Sequence, residues 1–463
     1  MKIPRLMIAS PQGRSGKTTV AIGLCAALKR RGYAVKPFKK GPDYIDPSWL
    51  AAACQWMGGC TNLDTFLYSK EILLPGFLKS CEGADIAIIE ASMGLYDSSF
   101  ENGKGSSAWM SRQIKTPIIL VLNCARMTRS AAAMVSGYMN FEQGTHIDGV
   151  ILNNISGTRH ADTVMKALEH HCGIPVLGVL PRDEGLCIPE RHLGIIPAAE
   201  HLETDRIIHG IADYFERNSD IDRIARVACS APDLPDQMGS IRKQSSAMCR
   251  IGVLYDSVFT FYYPENLQAL EQSGAELVYI DSVHDRSLPA IDALYIGGGF
   301  PELYASELEA NIDLRNDIAR AARADLPVYA ECAGLMYLCK SVNTGHGIFQ
   351  MCGVFDADVT VHKRPVGHGY VISEVTGKNP FFAVGTVMHG HEFHYSRLSF
   401  TRQPQFACRM SRGYGVDGHA DGMVLSKVFA TYSHIHAWGV PEWAGAFVRA
   451  AVARHEETCK VNV

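Results

Sequence analysis

The chain has 463 residues, which at roughly 150 residues per domain is enough for two or three domains, each with a core of its own. Apolar residues make up 47% and charged residues 20%, so neither a disordered chain nor a fibrous repeat fits. The 44 basic and 48 acidic side chains leave a formal charge of -4 with no basic stripe, which argues against a nucleic-acid partner.

No apolar run approaches the ~20 residues needed to cross a bilayer, and Met1 to Ser10 lacks a signal-type pattern. The expectation is therefore no membrane partner and a cytoplasmic location. Fourteen cysteines with no C-x-x-C pair read as reduced core thiols plus one reactive thiol, not as disulfides or a zinc ribbon.

In chain order, Arg5 to Ser10, Tyr33 to Phe38, Ala84 to Glu90, Pro117 to Asn123, Asp148 to Asn153 and Ile174 to Leu180 are short apolar runs. They predict the buried strands of a parallel α/β sheet. Val20, Leu24, Ala27 and Leu28 share one face of a helix that Gly32 ends, and Thr163 to His171 predicts another crossover helix. From 216 to 249 the pattern gives way to charged and small residues with Pro232, Pro235 and Gly239, read as a linker preceded by a surface helix. A second α/β set follows with strands at Arg250 to Tyr255, Ala275 to Ile280, Ala290 to Ile296 and Pro327 to Ala330, and helices after Tyr263 and Pro301. Beyond Asn343 the runs shorten, predicting a mixed sheet edge with His-rich loops. The division expected is 1–215, a linker over 216–249, and 250–463.

The segment Ser10-Pro11-Gln12-Gly13-Arg14-Ser15-Gly16-Lys17-Thr18-Thr19 follows a strand and opens a helix, the context of a phosphate-cradling loop. Gly13, Ser15, Gly16, Lys17, Thr18 and Thr19 are the nucleotide-binding candidates; Lys17 supplies charge to the β/γ-phosphates and Thr18 a hydroxyl to Mg²⁺. Pro11 stands where the strict pattern has its first glycine. A bound triphosphate needs carboxylates: Glu90 closes its strand at the sheet's carboxyl edge, Asp43 lies in the loop after the second strand, and Asp97 is next in line. Thr18, Asp43 and Glu90 are thus the metal candidates.

In Pro327-Val328-Tyr329-Ala330-Glu331-Cys332-Ala333-Gly334, a strand runs into a small-residue turn and then a helix, placing Cys332 at a sharp elbow where a thiol pKa is lowered. Gly297-Gly298-Gly299, one strand earlier, can aim N–H groups at an oxyanion; Gly298, Gly299 and Ala333 are the candidates. The base comes from His434 or His436, which share a face if their segment is a strand. A metal group made of His389, His391 and His394 with these two is the weaker reading, because no carboxylate partner of the usual spacing is evident.

These residues resemble the tetrapyrrole a,c-diamide synthase family, chiefly the cobyrinic acid a,c-diamide synthases, over nearly the whole chain. The resemblance rests on the Ser10 to Thr19 loop, Gly41-Pro42-Asp43-Tyr44-Ile45-Asp46-Pro47, Met93-Gly94-Leu95-Tyr96-Asp97, Pro189-Glu190-Arg191-His192-Leu193-Gly194, Phe261-Tyr262-Tyr263-Pro264, Gly297 to Glu302, the Cys332 elbow, Gly390-His391-Glu392-Phe393-His394-Tyr395 and Tyr432 to His436. It implies an α/β fold with an N-terminal P-loop-type amidoligase domain similar to dethiobiotin synthetase and a C-terminal class I glutamine amidotransferase domain. It also implies Cys332 as nucleophile, His434 as its base, and Tyr44 and Asp97 as substrate candidates.

The implied activity is ATP- and glutamine-dependent amidation of a tetrapyrrole polycarboxylate, with Mg²⁺ as cofactor and a homodimer among the assemblies expected. The wider glutaminase pattern has Glu two residues after the catalytic His; here that residue is His436, so no third member is assigned. Within the family, Asn123 to Ser130 looks somewhat like the branch that amidates nickel sirohydrochlorin for coenzyme F430, which stands as the alternative substrate. A nucleotide-dependent switch with an inactive amidotransferase scaffold is the alternative of a different class; such a scaffold has no need of Cys332 at an elbow.

Overall fold

The computed structural model describes residues 2–98, 100–183, 188, 190–191, 194–201, 203–235 and 247–461. The chain forms two compact units, one of Met1–Thr65 with Lys70–Gly239 and the other of Phe66–Ser69 with Ser240–Val463.

Among the described residues the first unit carries a seven-stranded parallel sheet. Its strands are β1 (Arg5–Ala9), β2 (Val35–Lys40), β3 (Thr61–Leu63), β4 (Ile86–Glu90), β5 (Ile118–Asn123), β6 (Ile147–Ile155) and β7 (Val176–Pro181), in the order β3-β2-β4-β1-β5-β6-β7. β1 and β4 are buried at every position, as a strand covered on both faces must be. The strand order reverses around β1, and open α/β sheets bind ligands at the carboxyl edge beside such a reversal. The loop after β1 leads into α1 (Lys17–Arg30), the loop after β2 into α2 (Ile45–Cys54), and β4 ends on Glu90, so three chain segments converge there.

Part of the expected linker, 216–249, belongs to the first unit. α3 (Thr204–Asn218) packs against α1, where a Cβ on Gly23 would lie 2.7 Å from Phe215 Cβ. α4 (Ile221–Cys229) buries Ile221, Ile224 and Ala228 and packs on β1 and β7. Its charged residues fall on the face opposite this apolar stripe, so the composition reads as linker although the period is helical. The remainder of that stretch, 236–246, lies outside the described residues, as do Pro189, His192 and Leu193 of the Pro189 to Gly194 motif.

The second unit contains β8 (Cys249–Leu254), α5 (Pro264–Gln272), β9 (Ala275–Ile280), β10 (Ala293–Ile296), β11 (Val328–Glu331), α6 (Ala333–Leu338), β12 (Gly367–Val375), β13 (Val387–His394), β14 (Gln405–Arg412), β15 (Ala420–Leu425), β16 (Val428–Thr431), β17 (His434–Ile435) and α7 (Glu442–Val461). Ten strands form one mixed sheet in the order β9-β8-β10-β11-β16-β15-β14-β12-β13-β17. Pairings from β9 through β16 are parallel and the others antiparallel. Phe66–Ser69 joins this unit: Phe66 stacks on Tyr370 with ring centroids 4.3 Å apart, and Tyr68 lies against His436 and Trp438. Among the described residues no helix is long and apolar enough to cross a membrane.

Candidate active sites

In the first unit the loop after β1 reaches α1 through Gly16, whose φ of +89° lies in the left-handed region. A Cβ there would also lie 2.3 Å from Asn153 Nδ2, which itself donates to Ser15 O at 2.9 Å. Lys17 Nζ donates to Ser10 Oγ at 2.8 Å, to Met93 O at 2.8 Å and to Gln12 O at 3.4 Å. Burial lowers the Lys17 amine to about 8, with the charge of Glu90 opposing the shift. The carbonyl of Pro11 accepts from Tyr138 Oη at 2.8 Å. Ser15 Oγ donates to Gln12 O at 2.9 Å and stiffens the turn.

Thr18 Oγ1 donates to Glu90 Oε1 at 2.6 Å. Glu90 Oε2 is buried with no hydrogen-bond partner among the described residues. Burial raises the Glu90 carboxyl, while the neighbouring Lys39 ammonium opposes the shift. A hydroxyl at one oxygen of a carboxylate whose other oxygen lacks a partner fits Mg²⁺, which takes few protein oxygens and fills its sphere with phosphate and water.

Asp43, expected beside them as a metal ligand, also caps the start of α2: its carboxylate accepts from Ile45 N at 2.9 Å and Asp46 N at 3.4 Å. Burial and the charge of Asp46 raise it to about 7. Tyr44 sits at the start of α2, and Asp97 accepts from Gly94 N at 2.8 Å, closing its own turn.

Three side chains in this unit carry the arrangement without a role assigned from sequence. Lys39 Nζ bridges Asp46 at 2.5 Å and Glu90 at 3.1 Å; burial disfavours its charge, but these carboxylates more than offset that and hold it protonated. Asn62 Nδ2 donates to Gly41 O and Asp43 O, each at 2.7 Å, and so holds the loop after β2. Asp46 lies within a motif already singled out and Lys39 just before it; Asn62, on a three-residue strand, carried no signal.

In the second unit Cys332 adopts φ 49° and ψ -99°, a left-handed conformation costly for a residue with a Cβ. The elbow is held by Cys332 N donating to Thr431 O at 2.7 Å and Gly334 N donating to Gly297 O at 3.0 Å. Cys332 Sγ lies 4.0 Å from Phe393 O. His434 is buried and hydrogen-bonded to Cys332; burial lowers its basicity, but Cys332 and Glu331 outweigh that and raise it to about 10. His434 Nδ1 is 3.2 Å from Glu331 Oε2.

His436 does not share that site, because β17 ends at Ile435 and the chain turns. His436 Nε2 faces Glu265 Oε2 at 3.4 Å and its Nδ1 accepts from Trp438 N at 3.2 Å. Of the two histidines, His434 is thus the one beside Cys332.

Gly298 requires a correction. Its N–H, expected to face an oxyanion, donates to Phe261 O at 3.3 Å, and the position matters further because a Cβ would lie 2.5 Å from His434 Cε1. Gly299 N and Ala333 N donate to no acceptor among the described residues. Among the described residues no cluster of three or more His, Cys, Asp or Glu side chains is arranged to hold a metal. His389 Nδ1 pairs with Phe66 O and His394 Nδ1 with Ser396 O, each at 3.0 Å.

The CobQ/CobB/MinD/ParA nucleotide binding domain family matches residues 6–195, and the CobB/CobQ-like glutamine amidotransferase domain family matches residues 250–441. A cobyrinate a,c-diamide synthase of Magnetococcus marinus is 39% identical, the match covering 97% of each chain. That of Archaeoglobus fulgidus is 41% identical over 98% of this chain and 99% of its own. That of Methanosarcina acetivorans is 40% identical over 97% of this chain and 95% of its own.

Proposed function

Since the chain belongs to the family of cobyrinate a,c-diamide synthases and is thereby an ATP-binding, glutamine-dependent amide-forming ligase, we propose that it converts the a- and c-acetate side chains of cobyrinate to amides through acyl phosphates. The observation that carries this reading is the pairing, in one chain, of a phosphate loop whose Thr18 meets Glu90 with a thiol elbow whose Cys332 meets His434. A carboxylate is a poor electrophile. One oxygen of the acetate attacks the γ-phosphorus of ATP, ADP departs, and the acyl phosphate that results carries a leaving group that ammonia can displace. Lys17 holds charge at the transferred phosphoryl. Thr18 and Glu90 would hold Mg²⁺, which when bound neutralises phosphate charge.

Ammonia comes from glutamine. The Cys332 sulfur attacks the side-chain amide carbon, and His434, raised to about 10, is protonated at neutral pH and donates that proton to the departing nitrogen. Water then cleaves the thioester and glutamate leaves. Gly299 N–H and Ala333 N–H are the donors for the oxyanion in this reading, and Tyr44 and Asp97 remain the candidates for contact with the tetrapyrrole. The first unit acts as amidoligase and the second as glutaminase, in the cytoplasm, where the thiols stay reduced.

The test is the full chain with ATP, Mg²⁺ and glutamine, given cobyrinate and nickel sirohydrochlorin in parallel. Two amides on cobyrinate, with two glutamates and two ADP released, is the expected result. Amidation of nickel sirohydrochlorin alone would assign the other substrate, and ATP turnover without either amide would favour the regulatory switch.

A further inference from the structure

The wider glutaminase pattern orients its catalytic histidine with a glutamate two residues later, and here that place holds His436, which faces Glu265 instead. The acid that reaches His434 comes from the residue immediately before the nucleophile. We propose that Glu331 is the positioning residue of the thiol site, its Oε2 holding His434 Nδ1–H so that Nε2 is turned to Cys332. This rests on the reading of Cys332 and His434 as the glutaminase pair.

The environment of Glu331 is built for that task. Its side chain is buried. Oε1 accepts from Tyr329 Oη at 3.0 Å and from Ile435 N at 3.4 Å, while Oε2 accepts from Tyr295 Oη at 3.3 Å as well as facing His434 at 3.2 Å. Burial raises both tyrosines well above their usual range, so they remain hydroxyl donors. Four donors on two oxygens fix the carboxylate's position, and a fixed acceptor selects the tautomer and plane of the imidazole that donates to it.

The fold delivers this geometry. β11 and β16 pair in parallel with Glu331 opposite Thr431, so the end of β11 and the segment leading to His434 leave the sheet side by side. Cys332 then turns through its left-handed elbow while Glu331 stays in the strand. From the other side, His391 lies opposite His434 in the β13–β17 pairing. Burial, with the charges of His434 and His368, pushes it down to about 3, so it is neutral and does not compete with Glu331 as a charged partner of His434. Gly298, without a Cβ, closes the remaining side of the ring.

The experiment measures glutamate release against pH, and ammonium-driven amide formation, for the full chain and for Glu331→Gln and Glu265→Gln. Glu331→Gln keeps an acceptor and loses the charge. It should lower kcat for glutamine hydrolysis on the order of 10²-fold or more with KM little changed, and move the alkaline limb of the profile down by about one pH unit or more, with ammonium-driven synthesis intact. Glu265→Gln should leave the alkaline limb in place. An unmoved limb in Glu331→Gln, or a limb moved by Glu265→Gln instead, would overturn the proposal.

A second readout needs no folded variant at Glu331. The wild-type chain should show a far-downfield exchangeable imidazole proton that is lost in His434→Gln, and its absence from the wild type also overturns the proposal. A Cys332→Ser control separates the two levels: retained glutamine hydrolysis there defeats the glutaminase reading itself, whereas abolished hydrolysis with an unmoved limb in Glu331→Gln defeats this inference alone.

Discussion

Thr18 Oγ1 and Glu90 Oε1 are 2.6 Å apart, a contact that ties the first turn of α1 to the carboxyl end of β4 across 72 residues of sequence. In the proposed reading the helix start offers loop N–H groups to phosphate, and the strand end offers the carboxylate that a triphosphate's counter-cation would need. Glu90→Gln should therefore cut amide formation about 10²-fold or more with either glutamine or ammonium as nitrogen source. Glutamate release should persist, since thiol chemistry uses no ATP. Parallel assays of amide and glutamate on one sample check this; selective loss of the glutamine-driven reaction would contradict it.

Lys17→Ala should show the same split. Its ammonium group is tied to Ser10, Gln12 and Met93, in the loop proposed to hold the transferred phosphoryl. Undiminished amide formation by this variant would mean that the loop containing Pro11 is not the ATP site.

Gly298→Ala tests the thiol site from beneath. The added Cβ would lie 2.5 Å from His434 Cε1 and must displace the ring. A displaced base costs on the order of 10²-fold in glutamine hydrolysis, while ammonium-driven synthesis should survive. Glutaminase kcat/KM measured beside the thermal midpoint distinguishes a moved ring from a collapsed fold.

The pH dependence follows from His434. Its folded-state basicity is raised from 6.5 to about 10, so the proton is kept through neutrality and lost as pH rises through about 10. If, as proposed, glutamate release uses that proton for the departing nitrogen, it should hold from pH 7 upward and fall near pH 10. A fall centred near 6.5 would mean that Cys332 and Glu331 do not sustain the imidazolium.

Strands such as β1, β4 and β10 were legible because parallel strands covered on two faces must be continuous apolar runs, whereas β12 to β17 were foreseen only as a mixed sheet edge. β3 was not, since Thr61–Leu63 is short and carries a buried asparagine whose use is to hold another loop. α4 was hidden by composition, and the transfer of Phe66–Ser69 to the second unit has no local signal at all. At the sites, the loop and elbow residues stood out because their chemistry is local. Lys39 with Asp46, and Glu331 with His434, escaped assignment because each role exists only once a partner is in place. For Glu331 that partner is 103 residues away. That His436 turns away from Cys332 likewise depends on where β17 ends.

The most direct test of the two-site account is amide formation by Cys332→Ala, measured on one preparation with glutamine and with an ammonium salt. Only the supply of ammonia depends on the thiol. Synthesis from glutamine should vanish while synthesis from ammonium stays near the wild-type rate; equal loss from both nitrogen sources, or undiminished synthesis from glutamine, would contradict it.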